Sequence, residues 1–288
     1  MKLSHLPHCI EGFEPYTIKG HTIQGHSVCR DRTGIYSFQL QAHFDSGMGC
    51  SIPMKNLFQT HLHSDHMQGL PMLLYGNPTP PTIFCLEETV DDMKAMIAGF
   101  GRAARSHKKF TIVGVQPGDR YMLDEKREVV IHHCQHSVPT CGYGFRKKTS
   151  RLKPEIQAQL QLLSGKDKGA FLKGKEDIHE ITWTPEFLYL CDTDISVFET
   201  DASILTYSVI MVECSFWDSK MEERALETGH ICFPQLLPYI RATPKTHFIL
   251  FHVSQRYTWE TLQKIIDQAE VANVTLFRDQ LYSAKRGR

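Results

Sequence analysis

Short apolar runs broken by polar turns divide this chain, and the period within each run predicts its element. Tyr16-Thr-Ile-Lys-Gly-His-Thr-Ile alternates, Cys29 to Gly34 is a polar loop, and Ile35 to Phe44 alternates again before Asp45-Ser46-Gly47. Strand, turn, strand predicts a hairpin over residues 16–45. Lys55-Asn-Leu-Phe-Gln59 reads as a short buried strand, and Leu70 to Leu74 as the apolar face of a short helix. Thr82 to Cys85 is a further strand; Val90, Met93, Met96 and Ile97 then form one stripe of a helix from Glu87 to Phe100. Four short strands follow: Phe110–Val113, Asp119–Leu123, Glu128–Cys134 and Tyr143–Arg146. Pro154 sits in the first turn of a predicted helix within a small basic helical insertion at about 147–180. From Glu186 a second α/β pattern begins. Its strands are Phe187–Cys191, Tyr207–Glu213, His247–Phe251 and Val274–Phe277; its helices are Met221–Glu227, Pro234–Arg241 and Thr258–Ala269.

Polar residues recur where apolar strands end: His61, His136, Asp192, Glu213 and His252. Loops at strand ends on a rigid sheet are where chemistry usually sits. The densest such segment is Thr60-His61-Leu62-His63-Ser64-Asp65-His66. On an extended segment His61 and His63 point to one side, because side chains alternate with period two. Asp65 and His66 sit where the chain turns into a helix and face a second point. Neutral imidazoles and a carboxylate suit a borderline divalent cation such as zinc. The two-and-two split argues for two ions, and the ordered spacing argues against a merely histidine-rich surface loop.

Composition narrows the setting. The 288 residues suffice for a sizeable core in one domain, and Lys plus Arg and Asp plus Glu both total 32. A zero balance does not suggest wholesale attraction to nucleic acid, so any such binding must use local patches. Two such patches are the insertion and the run Arg102, Arg105, Lys108, Lys109, which reads as solvated surface or as a phosphate-tracking face. Nine scattered cysteines without a CxxC pair indicate neither a disulfide framework nor a zinc ribbon. Met1 to Tyr16 lacks the layout of a secretory signal, and no apolar run approaches the ~20 residues that span a bilayer. The expectation is an intracellular protein, cytoplasmic or nuclear and not secreted, with no membrane contact.

His61-x-His63-x-Asp65-His66 resembles the signature of metallo-β-lactamase-fold hydrolases. The segment Phe251-His252-Val-Ser254-Gln-Arg256-Tyr257 is similar to one in ribonuclease Z, closest to the short plant and cyanobacterial type. The resemblance spans about Gly20 to Phe277 and implies a four-layer αββα sandwich, with a site along one edge. His136 stands in a His-x-x-Pro-x-x-Gly-Tyr context, and Leu190-Cys191-Asp192-Thr193 resembles Gly-Asp-Thr with Cys in the Gly place. The implied first ion holds His61, His63 and His136; the second holds Asp65, His66 and His252; Asp192 spans both. Zinc is the implied metal, with manganese as the alternative. Asp45-Ser46-Gly47 reads either as a buttress of the metal loop, as in the family, or as a plain turn.

Two such ions, roughly 3.5–4 Å apart in sites of this kind, would share a hydroxide as the nucleophile toward phosphorus, and the resemblance implies that Asp65 would help orient it. Val212-Glu213-Cys214-Ser215-Phe216 and Gly229-His230-Ile231 resemble the paired segments of ribonuclease Z in which Glu213 holds an imidazolium of His230 for the leaving alkoxide. Ser254 and Arg256 are implied contacts of a phosphate oxygen. The family cuts the 3′ trailer from precursor tRNA and is typically a homodimer. Two of its features are missing here: Cys29-Arg30-Asp31-Arg32-Thr33 replaces the Pro-x-Lys-x-Arg-Asn loop, and the helical insertion replaces a Gly/Pro-rich arm. A phosphodiesterase acting on small or cyclic nucleotides is therefore a second reading, and a non-catalytic nucleic-acid-binding protein on the same fold a third.

Overall fold

A computed structural model describes residues 15–50, 52–173 and 177–278. The Met1 to Glu14 part of the leader reading and the basic Lys285–Arg288 tail lie outside these residues. Two seven-stranded sheets face each other. The first contains β1 (Tyr16–Ile18), β2 (His21–Val28), β3 (Arg32–Ser37), β4 (Ala42–Phe44), β5 (Asn56–Phe58), β6 (Thr82–Leu86) and β7 (Thr111–Val115), in that order. The second contains β8 (Arg120–Asp124), β9 (Arg127–Cys134), β10 (Thr140–Leu152), β11 (His179–Leu190), β12 (Val209–Glu213), β13 (His247–Phe251) and β14 (Val274–Leu276). Each sheet is antiparallel through four strands and parallel through the remainder. The chain thus folds as two similar halves.

Strand alternation explains the layers. Phe58, Phe84, Phe145, Phe187, Tyr189, Met211, Ile249 and Phe251 point between the sheets into an aromatic core. Their neighbours point outward. Leu57, Ile83 and Cys85 pack under α2 (Leu70–Gly76) and α3 (Val90–Ala104), in a cluster with Leu70, Leu73, Leu74, Met93 and Ile97. Ile210, Val212, Phe248 and Leu250 pack under α8 (Phe233–Ala242) and α9 (Trp259–Ala269), with Leu236, Ile240, Leu262 and Ile266. The result is the expected αββα sandwich. The remaining helices are α1 (Ser64–Met67), α4 (Pro154–Gln161), α5 (Gly165–Leu172), α6 (Val197–Thr200) and α7 (Glu222–Glu227). No helix of the described residues is long and apolar enough to cross a membrane, and their cysteines are all free thiols.

Two expectations differ from what is found. The two strands read over residues 16–45 are four, because Lys19 (φ 47°) with Gly20 (φ 85°), and Gln41 (φ 49°), turn the chain inside each alternating run. The stretch 147–180 is not helical throughout. β10 continues to Leu152 and pairs with β11 from Arg146↔Pro185 to Leu152↔His179, past a register shift at Phe145. The helices α4 and α5 therefore sit at the end of a two-stranded arm and bury no residue. Leu162 between them is 87% exposed.

Candidate metal centre and acid pair

Three loops deliver the site by abrupt turns. Asp45 (φ 54°), Asp192 (φ 43°) and His252 (φ 58°) follow β4, β11 and β13 in the left-handed region that L-residues rarely adopt. Such conformations cost of order 1 kcal/mol or more each and persist where surrounding bonds over-determine them. Asp45 is the plainest case. Its Oδ1 accepts from Thr60 N and Thr60 Oγ1, both at 2.8 Å, and from Gln59 Nε2 at 3.2 Å. Its Oδ2 meets His66 Nδ1 at 3.1 Å and Tyr189 Oη at 3.1 Å. Of the two readings of Asp45-Ser46-Gly47, this geometry is the buttress. A Cβ on Gly47 would stand 1.9 Å from the Asp65 carbonyl, so the chain passes there only as glycine.

The ring nitrogens of the site converge. His136 Nε2 lies 3.3 Å from His63 Nδ1, and His66 Nε2 lies 3.3 Å from His252 Nε2. Asp192 Oδ2 is 3.6 Å from His61 Nε2, 3.5 Å from His66 Nε2 and 3.6 Å from His136 Nε2. Asp65 Oδ2 stands 3.7 Å from His66 Nε2 and 3.9 Å from His252 Nε2. Among the described residues, His61, His63, His136 with Asp192, and Asp65, His66 with His252, have donor atoms that all lie within 4.8 Å of one another, as do Asp45, His66 and Cys191. His230, with Asp192 and His252, meets the same criterion.

These residues fit divalent cations. Two nitrogens held at about 2.0–2.1 Å by a tetrahedral ion stand roughly 3.3–3.4 Å apart, close to the separations found. His61 Nε2 is buried without a hydrogen-bond partner, a cost a cation would remove. The other ring nitrogens are already committed outward: His66 Nδ1 to Asp45, His61 Nδ1 to Thr60 Oγ1 at 3.0 Å, His136 Nδ1 to the Gly229 carbonyl at 2.8 Å. Such outer partners fix the tautomer and aim the free lone pair inward. Gly229 (φ 65°) closes against His136, whose Nδ1 would be 2.8 Å from an added Cβ.

Charge agrees with geometry. Burial opposes ionisation of Asp192, but the imidazoles of His252, His66 and His61 outweigh it and hold its carboxyl well below the usual range. Burial and the neighbouring His66 keep His61 neutral, as a ligand must be. At His66 burial is overcome by Asp192 and Asp45, which raise its pKa to about 9. Those same carboxylates attract a cation in place of the proton.

Beside the cluster, Glu213 Oε1 faces His230 Nδ1 at 2.9 Å. Glu213 is fully buried and also accepts from the amides of Ile231 (3.0 Å) and Ser215 (2.9 Å). Burial disfavours the His230 imidazolium, yet the Glu213 charge and hydrogen bond, with Asp192, raise its pKa to about 9. His230, with Glu213 buried behind it, opens on a cavity of about 460 Å³ also lined by His63, Asp65, His136, Asp192 and His252, with Cys29, Arg30 and Asp31 at the rim. Ser254 and Arg256 are not among its lining residues. Arg256 Nε instead donates to Ser254 Oγ at 3.2 Å, and its guanidinium lies 5.3 Å from the Phe216 ring centroid. His132 and His133 both lie in β9: His132 bonds Asp201 (2.7 Å) and Tyr207 (3.0 Å), while His133 is exposed.

Sequence reasoning assigned nothing to three contributors. The Arg30 amide donates to Asp65 Oδ2 at 3.0 Å, Gly229 orients His136, and Ser215 Oγ contacts His252. Only Ser215 carried a signal: it follows Glu213 by two residues past a strand end, where period two puts both on one side.

Removing a buttress should loosen the centre without unmaking it. Asp45→Ala is expected to weaken cation binding about 10–100-fold, the usual effect of losing an outer partner. Competition against a chromophoric chelator measures this, and an unchanged affinity would deny Asp45 that role.

No family model matches the chain. It is 29% identical over 264 residues to the tRNase Z TRZ1 of Arabidopsis thaliana, covering 88% of this chain and 90% of that protein. In structure it matches the metallo-β-lactamase-fold protein YhfI of Bacillus subtilis with a TM-score of 0.57 at 11% identity, covering 92% and 98% of the two chains. It also matches the short form of human tRNase Z with a TM-score of 0.55 at 16% identity, covering 88% and 94%. The chain is a metallo-β-lactamase-fold protein whose sequence is ribonuclease Z-like.

Proposed function

We propose that this chain is a dinuclear-metal phosphodiesterase that processes the 3′ end of precursor tRNA and works as a homodimer. One observation carries the chemical part: His230, held by the buried Glu213 at 2.9 Å, stands against Asp192 and His252 on the same cavity. A hydrolase that leaves a stable anion has no need of such an acid, whereas a leaving alkoxide does. The similarity to tRNase Z over most of the chain supports the RNA part.

In this reading His61, His63 and His136 hold one cation, Asp65, His66 and His252 the other, and Asp192 both; zinc suits the donors, with manganese as alternative. Bound there, the pair supplies Lewis acidity toward the phosphoryl group and lowers the pKa of water. The chain's own groups do the rest. The Arg30 amide keeps Asp65 turned inward at 3.0 Å. Glu213 holds the proton on His230 Nδ1, which leaves Nε2–H to protonate the departing oxygen. Arg30, exposed at the rim, is placed to meet a flanking phosphate. The arm carries Lys147, Lys148, Arg151 and Lys153 and would track the RNA backbone away from the cut.

Incubation with a labelled precursor tRNA is expected to yield one cut just past the acceptor stem. Activity should vanish with a chelator and return with zinc or manganese. Intact precursor beside turnover of cyclic mononucleotides would select the small-nucleotide reading. The neutral net charge is the observation favouring that reading.

A further inference from the structure

Ser215 is fully buried and off the cavity wall, so it cannot touch a substrate, yet its hydroxyl reaches into the centre. A serine hydroxyl has one proton to give. Here Oγ donates it to the His252 carbonyl at 3.0 Å, across a residue held at φ 58°. Toward the His252 ring Oγ can then only accept, and Nδ1 lies 3.1 Å away. With its proton on Nδ1, a neutral imidazole carries its lone pair on Nε2. That atom faces His66 Nε2 at 3.3 Å and Asp65 Oδ2 at 3.9 Å. The Ser215 amide meanwhile donates to Glu213 Oε2 at 2.9 Å, while Glu213 Oε1 holds His230. His230 Nδ1 is 3.4 Å from Ser215 Oγ, longer than its bond to Glu213.

We propose that Ser215 is the positioning residue that fixes His252 in its cation-binding tautomer and locks that ligand to the Glu213–His230 pair. The inference rests on the metal reading above. Its failure mode is visible: Asp192 Oδ1 lies 3.2 Å from His252 Nδ1. Without the hydroxyl, Asp192 is the remaining acceptor for that proton, and each such bond draws Asp192 and His252 away from the cations.

The test is a zinc titration of metal-free protein against a chromophoric chelator, which resolves two binding constants. Ser215→Ala is expected to weaken one constant about 10–100-fold and spare the other, with Ser215→Thr restoring it through its retained hydroxyl. Long-range nitrogen–proton NMR on wild-type, metal-free protein should show His252 protonated at Nδ1, and decides the matter if Ser215→Ala fails to fold. Wild-type constants in Ser215→Ala, or a proton on Nε2, would overturn the role of Ser215 while leaving the metal reading intact. A wild-type chain that takes up no zinc would overturn both.

Discussion

His230→Ala is expected to slow cleavage of a phosphodiester with an alkoxide leaving group by about 10²–10⁴-fold, the usual worth of a placed general acid. Esters of nitrophenol should lose far less, since nitrophenolate departs without a proton. The contrast follows from the 2.9 Å contact with Glu213 and from a pKa of about 9, which keeps His230 charged at neutral pH. Parallel assays of Glu213→Gln should show the same selectivity, because the neutral amide holds the imidazolium less well. Equal losses on both substrates would mean that His230 binds or shapes the site and gives no proton.

Asp192→Asn is expected to reduce turnover on every substrate by about 10³-fold, because in the proposed reading several kcal/mol of charge stabilisation depend on the cations it would hold. Asn keeps the shape and removes the charge. Asp192 Oδ2 lies within 3.6 Å of nitrogens from both ligand groups, and the residue is 2% exposed, so no solvent replaces it. Elemental analysis of this variant should find fewer ions per chain than in wild type. Near-normal turnover with full metal content would show that Asp192 does not join the two groups.

The candidate ligands His61, His136, Asp192 and His252 were legible because each stands just past an apolar strand, and His63, Asp65 and His66 because they crowd the same short segment. His61, Asp192 and His252 needed no knowledge of how the sheets meet. Their supports did need it: Gly229 and His136 are 93 residues apart, and only the folded chain brings them to 2.8 Å. The left-handed turn at Gln41 was hidden because glutamine is no turn former, and the one at Lys19 because the alternation ran on through Gly20, so four strands read as two. The outer part of β10 was hidden for another reason. Lys147 to Leu152 has no residue buried in a core, so no apolar alternation marks it as strand. Arg256, whose sequence setting resembles a phosphate contact, packs its guanidinium on Phe216, and Arg30, which that resemblance did not mark, lines the cavity.

A catalytic centre rather than a bare binding fold requires that the converging imidazoles and carboxylates hold cations. Elemental analysis of the purified, unsupplemented chain measures this directly. Two divalent ions per chain are expected, falling to none after chelation along with phosphodiesterase activity. A chain that carries no ion and acquires none from excess zinc or manganese would contradict the account and return the protein to a non-catalytic role.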